Sequence, residues 1–228
     1  MTRAFSKWVG ASEKKHLTEL LRAAGKPVRY RKAMHDLGRD LGEQIARSLP
    51  PKGDVLVVCT VEDADFLARG VLEAIEATHR VALTCFWNER KRIGDHELAP
   101  IIGRYEEPYT ASKIAALVVL KSIISGACVV RTNLLEVLDV MKKRVPIFVA
   151  APVLHVDALA KLEREFPVSV VRRMTAVWCA RDSQRTGNTV VPGIGGTVYE
   201  LLGLGTEKAK NRVWPEILDA RLDRLASV

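Results

Sequence analysis

Short, almost uninterrupted apolar runs alternate with amphipathic segments through the middle of this chain, and this alternation restricts the folds open to it. Four runs rich in β-branched residues have the length of a strand: 54–59, 80–87, 114–120 and 145–151. A further apolar stretch, 168–180, continues the alternation. The segments between the runs, of which 62–77 is the first, place apolar residues at three- and four-residue spacing, which is typical of helices with one buried face. Strands without polar alternation are buried on both faces. The sequence therefore predicts an α/β fold with a parallel sheet flanked by helices and joined by right-handed crossovers.

Two helical segments precede the first of these strands. Ser12 is expected to cap a helix that ends near Ala24, where Gly25-Lys26-Pro27 follows. A second helix is expected from about Arg29 to Leu49, because apolar residues repeat there at helical spacing and two prolines come directly after it.

The chain shows no linker that would separate two domains. We expect residues 1–50 to be a helical segment packed on an α/β core of residues 51–205, with residues 206–228 as a C-terminal helix and one structural domain overall. The polar, glycine- and proline-broken stretch 88–113 is expected to form a projecting loop or β-arm. The C-terminal helix packs on the core or forms an interface, and its apolar spacing slightly favours an interface.

Composition narrows the class of protein. Of the 228 residues, 48% are hydrophobic and 27% charged, which excludes a largely disordered or fibrous chain. No apolar run reaches the roughly 18 residues of a membrane-spanning helix, and the first residues lack the apolar core of a secretory signal. We therefore expect a cytoplasmic protein without a membrane partner.

The four cysteines, Cys59, Cys85, Cys128 and Cys179, lie far apart and form no C-x-x-C pair. A zinc site or a disulfide framework would need closer or recurrent spacing. Since three of the four lie inside apolar runs, we expect small buried hydrophobic side chains and no metal site.

The net charge of +8 is concentrated at the start of the chain. Residues 1–50 hold eleven basic and five acidic side chains, which accounts for +6 of it. A basic face favours anionic partners such as nucleotides, diphosphate esters or nucleic acid. A solvated helix face has the same composition, so nucleic acid stays an open partner.

The turn after the 114–120 strand has the composition of a phosphate site. It contains Ser125, Gly126, Ala127 and Cys128, and a helix follows directly. The free backbone N–H groups and the positive end of the dipole at such a helix N-terminus attract phosphate. The same residues also suit a tight turn with no ligand.

A second glycine-bearing loop follows later in the chain. In Val191-Pro192-Gly193-Ile194-Gly195-Gly196, closely spaced glycines let backbone approach a flat ligand. The loop does not follow the first strand, so it does not fit the dinucleotide-binding fingerprint. A ligand-free turn is the alternative.

Taken in order, several segments resemble the uracil phosphoribosyltransferase family over about residues 16–205. Val191-Pro192-Gly193-Ile194-Gly195 resembles that family's uracil-binding loop. The other matching segments are 16–22 (HLTELLR), 30–41 around Asp36-Leu37-Gly38-Arg39, and Val149-Ala150-Ala151-Pro152. The resemblance implies a phosphoribosyltransferase-type fold that forms oligomers and joins a pyrimidine to 5-phosphoribosyl diphosphate (PRPP) with release of diphosphate. It assigns Val191, Gly193, Ile194 and Gly195 to the base, and Ser125 to Cys128 to the 5′-phosphate.

The chain departs from the family at the positions that hold the sugar donor. The family's diphosphate-loop arginine corresponds to Glu62, with Asp63 and Asp65 adding negative charge, and an acid of the PRPP loop corresponds to Leu120. Carboxylates at a diphosphate site would repel the donor, unless a metal bridges them. The alternative reading of these acids is a helix N-terminus that favours negative charge.

Other family positions also differ. An arginine of the family's arm is replaced within Trp87-Asn88-Glu89, with Arg90, Lys91 and Arg92 nearby, and two aspartates of the base loop correspond to Gly196 and Tyr199.

Two further side chains deserve consideration as site residues. His155 follows a strand and has the chemistry of a general base, but no partner is evident from its spacing. Trp178 lies where the family's variable loop passes the base, although core packing explains this side chain better. No catalytic residue is assigned.

The sequence therefore indicates a uracil phosphoribosyltransferase-like protein that binds a pyrimidine base or nucleoside monophosphate. Transfer from PRPP, a glycosyltransferase reaction, is expected to be weak, altered or lost, and Mg²⁺ is required only if PRPP is used. The alternative is a non-catalytic regulatory or interaction protein that uses its basic N-terminal half to bind RNA or a protein partner. A homo-oligomer is expected in the first case.

Overall fold

The computed structural model of the protein describes residues 3–94, 96–141, 144–186, 189–191, 194–195 and 198–226. Its strands are, in chain order, β1 (Arg3–Phe5), β2 (Asp54–Thr60), β3 (Val81–Asn88), β4 (Lys91–Ile93), β5 (His96–Leu98), β6 (Ile101–Glu106), β7 (Ile114–Leu120), β8 (Ile123–Ile124), β9 (Ile147–His155), β10 (Met174–Asp182), β11 (Gln184–Thr186), β12 (Thr189–Val191) and β13 (Ile194–Gly195). The helices are α1 (Ala11–Arg22), α2 (Pro27–Ala46), α3 (Val61–Asp63), α4 (Arg69–Glu76), α5 (Cys128–Val140), α6 (Ala158–Arg164), α7 (Val168–Val171), α8 (Val198–Leu201), α9 (Glu207–Lys210) and α10 (Glu216–Ala226), with a π-helical turn at Ala64–Ala68.

The main sheet has the strand order β1-β10-β9-β7-β2-β3-β6, and β8 pairs with β9. The five central strands run parallel, while β1 and β6 pair antiparallel at the two ends. The expected parallel sheet is confirmed, and β7 covers the predicted 114–120 run to the residue.

Helices cover both faces of this sheet. On one face, α1, α2, α4 and α10 contribute buried residues such as Leu20, Leu37, Val71 and Leu218 to one core cluster. On the other face, α5 and α6 form a second core cluster with residues such as Leu134 and Leu162. The predicted flanking of the sheet by helices is thus confirmed, and the first two helices pack directly on the core.

Glycines allow α2 to approach α4 and the preceding π-helical turn closely. A Cβ atom on Gly38 would fall 2.3 Å from the carbonyl oxygen of Leu67, and one on Gly70 would fall 2.2 Å from that of His35. No side chain fits in that space, so backbone meets backbone at the crossing. This contact fixes the N-terminal helical segment against the element that follows β2.

Several local predictions are corrected by the structure. Gly10, not Ser12, is the N-cap of α1, because the Glu13 carboxylate accepts a hydrogen bond of 2.6 Å from the Gly10 amide. The helix expected over 62–77 is interrupted by the π-helical turn. The apolar stretch 168–180 begins as the short helix α7 before it becomes β10.

The ends of the sheet hold two features that the apolar pattern does not reveal. β1 was not predicted, since its three residues are mostly exposed; a bidentate pair between Arg3 and Asp182 holds it on β10. The polar stretch 88–113 is a β-arm in part, with β4 and β5 as a hairpin, but β6 returns to extend the main sheet.

Three cysteines, Cys59, Cys85 and Cys179, are buried as expected, and Cys128 is half-buried. Among the described residues, no helix is long and apolar enough to cross a bilayer. Within the same residues, no group of three or more His, Cys, Asp or Glu side chains is placed to hold a metal ion.

Candidate functional site

The strand order places the natural ligand crevice between β2 and β7. The chain moves from β2 to β3 on one side and later returns to β7 on the other side of β2. In open α/β sheets, ligands bind beyond the carboxyl ends of the strands at such a switch point. The residues that follow β2 and β7, beginning at Val61 and Lys121, therefore form the centre of the candidate site.

A buried group of charges fills this crevice. We call Glu62, Asp63, Lys121 and Lys210 the switch-point cluster; each is at most 6% exposed. The Lys121 ammonium lies 3.0 Å from Oε1 of Glu62 and 2.7 Å from Oδ2 of Asp63, and Lys210 lies 3.4 Å from Oε2 of Glu62. Two carboxylates and two ammonium groups therefore balance one another inside the protein.

The backbone and neighbouring hydroxyls complete the cluster. Thr60 Oγ1 donates to Asp63 Oδ2 at 2.7 Å, and the amide of Ser122 donates to Asp63 Oδ1 at 3.1 Å. Lys210 also donates to the carbonyl oxygen of Asn88 at 3.0 Å. These contacts satisfy both carboxylate oxygens of Asp63, whereas Glu62 Oε2 accepts no hydrogen bond from the described residues and is balanced by the Lys210 ammonium at 3.4 Å.

Electrostatics within the cluster favour the charged forms of Glu62 and Lys121. Burial alone would raise the pKa of Glu62, but the ammonium groups of Lys121 and Lys210 outweigh it and hold that pKa below its usual range. Burial would lower the pKa of Lys121, but Asp63 and Glu62 raise it above the usual value. The cluster is a set of ion pairs, not a proton-sharing site.

These contacts change the interpretation of Glu62, Asp63, Asp65 and Leu120, the residues at the positions that hold the sugar donor in the resembling family. Glu62 and Asp63 were expected to repel a diphosphate as unpaired acids, yet they are neutralised by lysines and occupy the space themselves. Asp65 accepts from the amides of Glu216 and Ile217 at 3.1 and 2.8 Å, so it caps α10. Leu120 is 1% exposed and belongs to the core. The alternative interpretation, acids at the start of the helix after the first strand, describes the positions of Glu62 and Asp63 in the first turn of α3. The capping of α10 by Asp65 was not predicted.

The C-terminal segment covers the same edge of the sheet. The amide of Arg90 donates to Glu207 at 2.7 Å, Trp87 Nε1 donates to the Val213 carbonyl at 3.1 Å, and Arg31 Nε donates to the Leu202 carbonyl at 2.8 Å. We call residues 198–217 the C-terminal strap. It carries Lys210 into the switch-point cluster and closes the crevice from outside.

Lys121 and Lys210 are the site residues that sequence reasoning missed. The sequence analysis singles out neither residue: Lys121 directly follows the 114–120 run, and Lys210 falls within the C-terminal segment 206–228. The sequence offered one indication: an acid at the end of β2 must pair with a cation if it is buried. The sequence does not identify the cation, because Lys121 and Lys210 are both far along the chain from Glu62 and Asp63.

The expected phosphate residues lie around the N-terminus of α5. Ser125, Gly126 and Ala127 form the turn, and Cys128 is the first helical residue; all four are half-buried. A Cβ on Gly126 would meet only a carboxylate oxygen of Glu97, at 4.0 Å, so the backbone here is accessible.

A cavity of about 390 Å³ opens beside this turn. Four cations from different elements line it, together with two acids: Arg92, Arg131, Lys161, Arg185, Glu97 and Glu165. Arg131 Nε lies 3.0 Å from Glu165. Cationic side chains and helical amides around one space form an environment for a phosphate group.

The expected base-binding residues lie on a separate small sheet of β11, β12 and β13. Val191 ends β12, and Ile194 and Gly195 form β13, which pairs antiparallel with β12. Gly193 and Gly196 lie outside the described residues. Tyr199 is nearly buried, and the Lys210 ammonium lies 5.9 Å from the centre of its ring.

The remaining candidates have structural partners. His155 is 8% exposed, and its Nδ1 accepts a hydrogen bond of 3.2 Å from the Asp157 amide. Trp178 is half-buried, and the Arg181 guanidinium lies 5.4 Å from its ring. Asn88 is buried and donates to Asn133 and to the Ala99 carbonyl. These contacts favour packing roles for all three side chains.

Comparisons with known proteins show a similarity of fold. No protein-family model matches the chain, and no curated protein matches it in sequence. The solved structure of the AQ2163 protein from Aquifex aeolicus superimposes with a TM-score of 0.63 at 16% identity, covering 83% of this chain and 93% of that one. A hypoxanthine phosphoribosyltransferase from Staphylococcus aureus gives 0.44 at 12% identity, covering 67% of this chain and 74% of that one. A hypoxanthine-guanine phosphoribosyltransferase from Bacillus anthracis gives 0.40 at 10% identity, covering 69% and 76%.

Proposed function

We propose that the protein is a phosphoribosyltransferase-like binding protein that takes a pyrimidine base or nucleoside monophosphate, with transfer from PRPP weak or lost. The observation that carries this proposal is the switch-point cluster. A diphosphate leaving group needs free cations or a metal at this crevice. Here Lys121 is fully engaged by Glu62 and Asp63, and Lys210 and the C-terminal strap cover the opening.

The free-energy cost of bringing the diphosphate of PRPP into the crevice is large compared with the free energy of ligand binding. To reach Lys121, a diphosphate would have to displace two buried carboxylates. Removing one partner from a buried ion pair costs about 3–5 kcal/mol, because the other charge is left uncompensated. Such a cost reduces affinity by two to three orders of magnitude, on the order of tenfold for each 1.4 kcal/mol.

The residues present do not fit the Mg²⁺ that PRPP chemistry uses. Mg²⁺ prefers free carboxylate oxygens and waters in octahedral geometry. The buried Leu120 stands where the resembling family has an acid. The two acids at the crevice, Glu62 and Asp63, are both bound to Lys121. No step through a metal is therefore included in the proposed function.

The expected phosphate site, unlike the crevice at the switch point, borders an open cavity. The amides at the start of α5 and the cations that line the neighbouring cavity support the proposal that a terminal phosphate binds there. The β12–β13 backbone is the proposed contact for the base, as the sequence resemblance implies. The protein would thus hold the nucleotide product of the reaction without performing the transfer.

Isothermal titration with UMP, uracil and PRPP, each with and without Mg²⁺, tests this function. We expect UMP to bind in both conditions and PRPP to bind at least about a hundredfold more weakly. The Ser125→Ala, Gly126→Val double variant should abolish UMP binding by filling the phosphate turn. A matched control, Gly103→Ala in β6, should leave UMP affinity unchanged. Unaltered UMP affinity in the double variant would refute the assignment of the phosphate turn.

The second candidate is an interaction protein that binds RNA through its basic N-terminal half. Several of those cations are exposed, but Arg29 pairs with Glu19 at 2.7 Å and Lys32 pairs with Asp36 at 2.9 Å. These pairs reduce the positive potential of the helical face. Salt-sensitive RNA binding without any nucleotide binding in the titration would favour this candidate.

A further inference from the structure

A cavity of about 580 Å³ lies at the edge of the main sheet opposite the candidate site. It opens at the amino ends of β2 and β3, so the seven residues of β2, roughly 20 Å of extended chain, separate it from the switch-point cluster. The segment after β6 and the helix α10 form its other walls. Its volume is that of a site for an organic molecule, not for a single ion.

The buried part of the lining is an ion-pair network. Arg221, which is 4% exposed, donates to Oε2 of Glu107 at 2.7 Å and to Oε1 of Glu76 at 2.6 Å. It also donates to the Val81 carbonyl oxygen at 3.1 Å, and the Leu83 amide donates to Glu107 at 2.8 Å. These contacts join α10 to β3 and fix the shape of the cavity.

The charges of this network balance one another. Arg224 lies 3.7 Å from Glu76, so two arginines face the two acids. His79 also lines the cavity, but its Nδ1 lies 2.8 Å from Thr78 Oγ1 and its Nε2 lies 2.9 Å from the Pro50 carbonyl oxygen. The charge that a ligand meets is therefore set by other residues.

Two cations of the lining are unpaired. Arg80 precedes β3 and Lys113 precedes β7, and both are exposed. Within the described part of the chain, neither side chain makes a hydrogen bond or an ion pair. Their carbonyl oxygens accept from the amides of Val55 and Asp54, at 2.9 and 3.0 Å, so the two residues flank the start of β2. Two strand spacings amount to about 10 Å, which lets both long side chains reach one anion between them.

The balance of the unpaired charges selects the kind of anion. Asp54 is half-buried in the same lining and makes no ion pair with the described residues. Arg80, Lys113 and Asp54 together carry +1. A carboxylate matches this charge, whereas a phosphate monoester carries about −1.5 to −2 near pH 7 and would be repelled by Asp54.

The outer wall of the cavity is apolar. Pro108, Tyr109 and Leu225 form it, and Leu225 is 44% exposed. Burial and the neighbouring Glu106 raise the pKa of Tyr109 to about 12, so its ring carries no charge at neutral pH. An aromatic ring and an aliphatic side chain beside two cations suit a ligand with one charged end and one apolar end.

We infer that this cavity binds an organic monocarboxylate with an apolar body. The carboxylate accepts hydrogen bonds from Arg80 and Lys113, and the body packs against Tyr109 and Leu225. The buried network forms the cavity before the ligand arrives, which lowers the ordering cost of binding. The site is independent of the proposed nucleotide site, because the two have no residue in common.

An NMR titration of the full chain with 3-phenylpropionate tests this inference, since shifts of backbone amides report where a ligand binds. We expect saturable shifts at the amides of Thr110 and Lys113 and none at Gly126, with a dissociation constant on the order of 1 mM or below. Acetate has the carboxylate alone and 3-phenylpropanol the apolar body alone. Each should bind at least about tenfold more weakly than 3-phenylpropionate.

Substitutions of the charged residues test their roles. Arg80→Gln and Lys113→Gln should each weaken 3-phenylpropionate binding at least about fivefold, because each removes a charge-assisted hydrogen bond. Arg39→Gln, at an exposed position of α2 outside the cavity, is the matched control and should leave the affinity unchanged. Asp54→Asn should strengthen the binding of phenyl phosphate at least about fivefold, because the repulsion is removed. A damaged fold could not produce such a gain.

The contrary results are equally specific. Absence of shifts at the cavity amides, or shifts confined to Gly126, would overturn the inference. Binding of 3-phenylpropanol as tight as that of 3-phenylpropionate would show that Arg80 and Lys113 do not hold the ligand. Tighter binding of phenyl phosphate than of 3-phenylpropionate by the unsubstituted protein would contradict the selection of a carboxylate.

Discussion

At the residue scale, the buried lysine Lys121 holds two carboxylates in the interior. Replacing it by methionine keeps the volume similar but leaves Glu62 and Asp63 without their nearest cation. We expect Lys121→Met to lower the free energy of unfolding by about 3–5 kcal/mol at pH 7, as measured by urea denaturation. Lys113→Met, at an exposed position, should change it by less than about 0.5 kcal/mol. Adding Asp63→Asn to the Lys121 variant should recover part of the loss, because Glu62 and Lys210 then balance each other.

The pH dependence of the same pairs has a definite sign. In the folded protein the pKa of Glu62 lies below its ordinary value of 4.5, so the pair contributes stability above that pH. This contribution is lost as the pH falls through the folded-state pKa, because the unfolded chain binds the proton first. Unfolding free energies should therefore decrease below about pH 4.5, and the Lys121→Met, Glu62→Gln, Asp63→Asn variant should show a smaller decrease. An equal decrease in both proteins would contradict the assigned ion pairs.

Sequence reasoning identified the unusual residues at this scale but not their partners. Glu62, Asp63 and Leu120 stood out because they replace an arginine and an acid in a resembling family. The structure shows that Glu62 and Asp63 are buried and that they bind lysines from the turn after β7 and from the C-terminal strap. These contacts join segments that are far apart in the sequence, so residue spacing could not predict them.

At the element scale, the crossing of α2 with α4 depends on backbone contact. A Cβ on Gly70 would lie 2.2 Å from the His35 carbonyl oxygen, so Gly70→Ala must separate the helices. We expect a loss of about 1–3 kcal/mol in unfolding free energy, the usual cost of overpacking. Gly103→Ala is the matched control, because its Cβ would make only ordinary contacts of 3.5 Å or more with Trp87. Equal stability of both variants would show that the helices can separate without cost.

Elements differ in how well their sequences specify them. β7 was predicted to the residue, because a fully buried strand is a continuous apolar run. β1 has no such run; its place depends on the pairing of Arg3 with Asp182 at the far end of the chain. β6 alternates exposed and buried residues beside glycine and proline, so its pattern resembled an arm more than a sheet strand.

At the scale of the whole molecule, helices flank a parallel sheet, and the crevice at its switch point is filled by the protein's own charged side chains. The parallel sheet and its switch point remain, and the turn at α5 stays open beside a cationic cavity. The switch-point cluster and the C-terminal strap close the other half of the site. The proposed function therefore predicts that this protein binds a nucleotide without transferring its sugar phosphate.

Formation of UMP from uracil and PRPP is the most direct test of this closure. The assay uses the full-length protein with Mg²⁺ in excess and follows nucleotide formation together with diphosphate release. The filled crevice leads us to expect at most a weak turnover that does not saturate with PRPP. Saturable turnover with diphosphate released in equal amount to UMP would contradict it, because the donor would then have reached a space that Glu62, Asp63, Lys121 and Lys210 occupy.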